Sequence, residues 1–338
     1  MNSKTASASH AAGTQAATAT HRMSLGAYLN CFRGIVWREV LRFLHQRERF
    51  LSALVRPLIW LFIFAAGFRQ VLGVSIIPPY TTYVLYETFV TPGLVGMILL
   101  FNAMQSSLSM VYDRETGAMR TLLVSPFPRS FLLVSKLSGG VFVAVLQAYV
   151  FLIVARFWEA WSWDTPLIET LQSDGFSAMV SAFVNNMTGT FAQLGNVDPT
   201  PMGYLSLLPA LIMSGLMLGS IALFMSSVIK QLENFAGVMN FVIFPMFFMS
   251  SALYPVWRLR ESSPLLATLA ELNPFTHAVE LIRFSLYGQI GPRIEGGGID
   301  LTHLLVVIGC TILFLGAAIF AYNPSKGLIA RRGGPGGG

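Results

Sequence analysis

Long apolar runs recur along this 338-residue chain, and they determine the solvent it must fold in before any motif is considered. A helix needs about 20 mostly apolar residues to cross the hydrocarbon core of a bilayer. Six stretches reach that length, at residues 54–74, 89–112, 131–157, 205–229, 235–254 and 301–322. Strands of a membrane barrel would show about 10 residues of alternating polarity instead, and no such alternation occurs. Charged residues make up only 11% of the chain, against about 25% in soluble domains. The expected fold is an all-α integral membrane protein with six transmembrane helices.

The segments around these spans differ in character. Residues 1–24 are rich in Ala, Ser, Thr and His and read as a disordered cytoplasmic tail. The lack of any acid before Glu39 also suits an organellar transit peptide. Over residues 25–50, Leu25, Tyr28, Leu29, Phe32, Ile35, Val36, Val40, Phe43 and Leu44 recur at mostly three- and four-residue steps, with Arg33, Arg38 and Arg42 between them. That pattern predicts an amphipathic helix lying in the membrane interface. A helix packed on a partner protein is the alternative, and the direct junction to a span favours the interface. Residues 51–325 form the transmembrane domain, and residues 326–338 read as a second cytoplasmic tail.

Several positions inside the spans call for comment. Pro57 falls in the first turn of its span, where a missing N–H costs little, and Arg56 can extend to the headgroups. Pro92-Gly93 is expected to bend or break the second span. Asn102, Gln105, Ser106 and Ser109 are spaced to share one face of that helix. Polar groups in hydrocarbon need partners, so this face should point into the bundle or line a substrate path. Structural glue between helices explains it equally well. Pro245 predicts a kink in the fifth span, and the few residues around Lys230 predict a tight hairpin between the fourth and fifth.

Orientation follows from Lys and Arg in the flanks. The arginines within 33–49, then Arg114, Arg120, Arg129, Lys136, Lys230 and the basic residues within 326–332 fall on one side of a six-span chain. Arg69 and Arg156 are exceptions. The loop at 158–203 has five acids and no Lys or Arg. The positive-inside rule therefore places both termini in the cytoplasm. Residues 176–194 are apolar enough to raise a seventh span, but Asn185, Asn186, Thr188, Thr190 and Gln193 make them a better outer-face helix or loop. Residues 255–300 hold short apolar stretches interrupted by Glu271, Glu280 and Arg283, which predicts outer-face re-entrant or interfacial helices before the last span.

Chemistry of its own is missing from the sequence. No G-x-x-x-x-G-K-[ST], H-E-x-x-H or G-x-S-x-G motif occurs. Cys31 and Cys310 are far apart, and the five histidines, His277 and His303 among them, are scattered, so no metal site is expected. Span centres nearly lack Asp and Glu, which argues against proton or sodium coupling. The net charge of +6 comes from residues that mostly flank spans. That favours membrane lipid over nucleic acid as the partner of the basic residues. No catalytic residues are expected, and the chain is read as a non-enzyme.

The ordered features over roughly residues 25–325 resemble the permease subunits of ABC-2 type exporters, also called type V exporters. The basic amphipathic helix comes first, followed by Thr91-Pro92-Gly93 in the second span. Next come Arg114-Glu115-Thr116-Gly117, Leu122-Leu123 and residues 126–129, and then residues 250–255 with Asn273-Pro274-Phe275-Thr276, Glu280 and Arg283. The resemblance implies a separate ATP-binding subunit in two copies, which would carry ATP and Mg, with no cofactor bound by this chain. It implies a second permease in the cell (inner or plasma) membrane, as a homodimer or with a related permease in place of the second copy. Arg114, Glu115, Gly117, Arg120, Pro126 and Arg129 would form the loop coupled to the ATPase. There Glu115, Arg114 and Arg120 offer a short charged face, and Gly117 permits close backbone approach. Tyr254, Pro255, Asn273, Pro274, Glu280 and Arg283 would belong to outer-face helices that close the path. The loop of about 45 residues between the third and fourth spans is longer than the family's short link. A membrane scaffold without transport and an ion-coupled carrier are the rival readings.

Overall fold

The computed structural model describes residues 24–45, 55–61, 63, 75–76, 83–84, 86–116, 126–160, 201–229, 231–287 and 301–321. Helix α1 is Leu25–His45, and residues 55–61 are helical. Strands β1 (Ser75–Ile76) and β2 (Tyr83–Val84) form a small antiparallel pair, with Ser75 opposite Val84 and Ile76 opposite Tyr83. The remaining elements are helices: α2 (Tyr86–Glu115), α3 (Arg129–Ala160), α4 (Pro201–Val228), α5 (Leu232–Phe248), α6 (Val256–Ser262), α7 (Pro264–Leu272), α8 (Pro274–Tyr287) and α9 (Leu301–Ala321). Among the described residues the all-α expectation therefore holds apart from one two-residue strand pair.

Four of these helices are long and apolar enough to cross a membrane: Thr88–Glu115, Arg129–Ala155, Met202–Val228 and Leu301–Ala321. They coincide with the second, third, fourth and sixth expected spans. Of the first expected span, 54–74, only residues 55–61 and 63 lie among the described ones, and they are helical. The N-terminal tail before Ser24, the loop at 161–200 with its possible crossing at 176–194, residues 288–300 and the C-terminal tail lie outside the described residues.

α2 forms the centre. Phe89, Val90, Leu94, Val95, Leu99, Leu100 and Met104 are buried, and such burial around a helix marks an interior position. It packs against α3, α4, α5 and α8. α4 meets α3 through Gly215 and Gly219, where a Cβ would lie 3.0 Å from Val141 Cγ1 and 2.4 Å from Leu137 Cδ1 respectively. This small-x-x-x-small spacing lets two helices approach closely without a hydrophobic drive between them. α9 lies at the edge: 11% of its apolar window is buried, against 67% for α4.

α1 runs lengthwise beside α3. Tyr28 meets Phe127 and Phe131 edge-on, with ring centroids 5.2 and 5.0 Å apart. Further along, Val36 and Glu39 lie against Gly139, and Val40 and Phe43 share a small buried cluster with Val143. Leu29, Trp37 and Leu44 remain exposed.

Three expectations about helix shape need correction. Of the expected bend or break at Pro92-Gly93, the break does not occur, since α2 is one continuous helix through both. Gly93 serves close packing instead: a Cβ there would lie 2.5 Å from the carbonyl oxygen of Ala252. The fifth helix ends at Phe248, not at Tyr254. Asn273 explains the stop, because its side-chain nitrogen donates to the carbonyls of Met246 (2.8 Å) and Met249 (2.7 Å). The last carbonyls of a helix lack partners within it, and a side chain from outside replaces the next turn. Pro245 lies three residues before that end. The third correction concerns the hairpin. Although α4 and α5 are joined by a short link, α5 packs mainly against α2, and the two linked helices share no broad face.

α8 lies within the bundle, not on its surface. Phe275, Ala278, Val279, Ile282 and Leu286 are buried, as are Glu280 and Arg283. It packs against α4, α2 and α9. Its start follows a common rule: Asn273 precedes Pro274 at the first helical position, and Asn273 Oδ1 accepts the N–H of Phe275 at 3.0 Å.

Candidate functional site

The polar end of α2 joins three other helices. Asp113 receives a hydrogen bond from Lys136 Nζ of α3 at 2.8 Å, with side-chain exposures of 25% and 7%. Arg114 donates to the carbonyl of Ser226 near the end of α4 at 2.8 Å. Glu115 Oε1 accepts the backbone N–H of Leu232, the first residue of α5, at 2.8 Å. Gln231, the residue before α5, makes no side-chain cap of its own. A carboxylate at a helix N-terminus satisfies an orphan donor and complements the helix dipole, so Glu115 caps α5 from another helix.

The other residues of the expected coupling loop divide in two. Pro126 and Arg129 are exposed, with Arg129 opening α3. Gly117 and Arg120 lie outside the described residues, as do Leu122 and Leu123. Asp113, Lys136, Ser226 and Leu232 are partners that motif reading did not single out. Lys136 carried a usable signal: a lysine seven residues into an apolar helix requires a partner.

The polar face of α2 is shared between packing and open space. Asn102 Nδ2 donates to Ile98 O within its own helix (2.9 Å) and to Gln147 Oε1 of α3 (2.6 Å). Ser109 Oγ returns to the carbonyl of Ser106 at 3.0 Å. Ser106 lies against Gly140, where a Cβ would be 2.8 Å from its hydroxyl. Two open clefts adjoin this face. One, of about 360 Å³, is lined by Arg56, Phe101, Asn102, Gln105 and Gln147 among others. The second, of about 430 Å³, brings Glu39 and Arg42 of α1 over Asn102, Ser106 and Ser109. Gln147 is the residue that sequence reasoning missed here.

At the other end of α2, Arg283 is 1% exposed. It pairs with Glu280, donates to the carbonyls of Ser251 (2.8 Å) and Phe89 (3.3 Å), and stacks 4.1 Å over the Phe89 ring. This residue therefore fastens α8 to the start of α2 and to the turn after α5. Tyr254 donates its hydroxyl to Phe248 O. Pro255 precedes α6 without a side-chain cap. The histidines expected to be scattered include one adjacent pair: His277 Nδ1 and His303 Nδ1 are 2.8 Å apart, joining α8 to α9, while His277 Nε2 bonds the carbonyl of Glu271 at 2.9 Å. Among the described residues no group of three or more His, Cys, Asp or Glu could hold a metal ion.

Comparison with known proteins matches this arrangement to one family. The family model described as ABC-2 type transporter matches residues 30–287. The "Putative transport permease ycf38" of Pyropia yezoensis is 24% identical over 285 residues, covering 82% of each chain. Its namesake in Porphyra purpurea is 24% identical over 304 residues, covering 88% of each. The "Probable multidrug ABC transporter permease YbhR" of Escherichia coli K12 is 26% identical over 143 residues, covering 38% of this chain and 35% of that one. A bundle of apolar helices, joined by polar contacts at both ends of α2, accompanies a match across most of the chain: this protein is a multi-pass membrane transport permease and belongs to the ABC-2 type transporter family.

Proposed function

We propose that this chain is the permease subunit of an exporter driven by ATP hydrolysis on a separate ATP-binding subunit, present in two copies and holding ATP and Mg²⁺. A second copy of the permease completes a homodimer in the cell (inner or plasma) membrane. Each copy crosses six times, with both termini in the cytoplasm. The cargo is amphipathic or hydrophobic.

The observation that carries this reading is the Glu115–Leu232 cap, with the neighbouring Arg114–Ser226 and Lys136–Asp113 contacts. These contacts surround the end of α2 that feeds the loop between α2 and α3. A displacement of that loop would reach α3, α4 and α5 together. α2 is continuous to its far end, where Gly93 and Phe89 engage the turn after α5 and Arg283 of α8. A closed ATPase pair would thus push on one end of a buried rod, and the outer helices would feel the push at the other. The exposed aromatic face of α5, with Phe241, Phe244 and Phe248, supports a second permease copy at that helix.

The test is purification of the chain with its ATP-binding subunit, followed by measurement of ATP turnover. Glu115→Ala and Gly117→Pro are expected to lower turnover with the complex intact. An intact complex with unchanged turnover in both variants would sink the coupling role. Transport into vesicles lacking any ATP-binding protein would favour an ion-coupled carrier instead.

A further inference from the structure

We propose that the cleft between residues 55–61, α2 and α3 holds the phosphate of an anionic glycerophospholipid from the leaflet beside α1. Its lining carries Arg56, Asn102, Gln105 and Gln147 and no carboxylate. Among the described residues no carboxylate forms an ion pair with Arg56. Its guanidinium lies 4.1 Å over the Phe101 ring. A cation–π contact supplies no hydrogen-bond acceptor, so the guanidinium's N–H donors still call for one.

A second observation points to the same ligand. The carbonyl of Ile98 can only accept, so the nitrogen of the Asn102 amide must face it. The other hydrogen on that nitrogen goes to Gln147 Oε1, which fixes the Gln147 amide with its nitrogen turned away. Gln147 is fully buried, and its Nε2 has no acceptor. Buried donors are rarely left unmatched, so an unfilled donor stands behind the part of the cleft wall that Asn102 and Gln147 form.

The position suits a lipid. Arg56 stands in the first turn of the span expected at 54–74, the end from which its side chain can extend to the headgroups. Beside Arg56, Val55, Ile59 and Ile63 follow at four-residue steps and are 46%, 51% and 48% exposed. That stripe offers an acyl chain a continuous apolar surface starting next to the cation. A free phosphate would use the cation and amides alone. The stripe beside them selects the lipid. Neither ATP nor the export reading is needed for this inference.

The experiment uses the purified full chain in detergent, measured by native mass spectrometry with phosphatidylglycerol or phosphatidylcholine of identical acyl chains. One phosphatidylglycerol per chain is expected to survive activation that strips phosphatidylcholine. Arg56→Gln should weaken that binding about fivefold, Arg56→Lys should weaken it less, and Arg42→Gln in the neighbouring cleft should leave it unchanged. Retention by the unaltered chain is read on its own, so a poorly folding variant does not remove the test. Equal retention of the two lipids, or full retention in a folded Arg56→Gln, would overturn the proposal. Displacement of the lipid by millimolar inorganic phosphate, with equal thermal protection, would assign the cleft to a free anion and overturn it as well.

Discussion

Glu115 caps α5: its carboxylate accepts the backbone N–H of Leu232 at 2.8 Å across 117 residues of sequence. A cap borrowed from another helix makes the position of α5 depend on the end of α2. Glu115→Ala should therefore lower stability by about 1 kcal/mol, the usual cost of losing a cap. Glu115→Gln keeps an acceptor and should retain most of it. Thermal unfolding in detergent compares the two, and equal losses would remove the cap as the cause.

Gly93 and Ala252 are in backbone contact, with 2.5 Å from a Cβ built at Gly93 to the Ala252 carbonyl oxygen. Overpacking a fitted site costs about 1–3 kcal/mol. Gly93→Ala should lose that much, and Ala252→Gly should fail to restore it, because the obstacle is main chain. Gly309→Ala is the control. Nothing lies within 4 Å of a Cβ there, so the gain in helix propensity should leave the protein as stable or slightly more so. Melting temperatures of the three variants check the contrast.

The buried Glu280–Arg283 pair should behave as a unit. Removing one partner strands the other charge, at a cost of about 3–5 kcal/mol. Arg283→Met and Glu280→Leu should each reduce the yield of monodisperse protein sharply, and the double variant should recover much of it. A double variant as poor as the sum of the singles would show that the carbonyl bonds of Arg283, rather than the pair, hold the site.

Lys136 and Asp113 differ in exposure, 7% against 25%. The stranded partner determines the cost. Asp113→Asn leaves a buried ammonium, whereas Lys136→Met leaves a carboxylate that water can reach. Asp113→Asn should therefore be the more destabilising change, measured by unfolding midpoint, despite being the smaller change in shape.

The four helices long and apolar enough to cross a membrane were legible because a long apolar run has few uses other than crossing a bilayer. Other features required partners distant in sequence. The end of α5 could not be read from its own residues, since Asn273 supplies the stop from 25 residues further on. Gln147 looked like any polar residue in a span until Asn102 fixed its orientation. Gly93 was readable as special but not as packed, because a Pro-Gly step suggests a bend and only the neighbouring turn shows the close approach. The Glu115 carboxylate was legible as part of a motif, while its acceptor role at Leu232 depends on where α5 begins.

The 17 residues of α5 extend about 25 Å, whereas hydrocarbon is about 30 Å thick. α3 and α4 exceed that thickness with 32 and 28 residues. The molecule thus presents helices of unequal height to the membrane, short at α5 and long at α3 and α4. A uniform bilayer cannot match both, and mismatch is relieved by thinning the film or by covering the short side with protein. For the proposed pairing of copies through α5, acyl-chain length becomes a control: shorter lipids should favour separated copies, and longer ones should drive the α5 faces together.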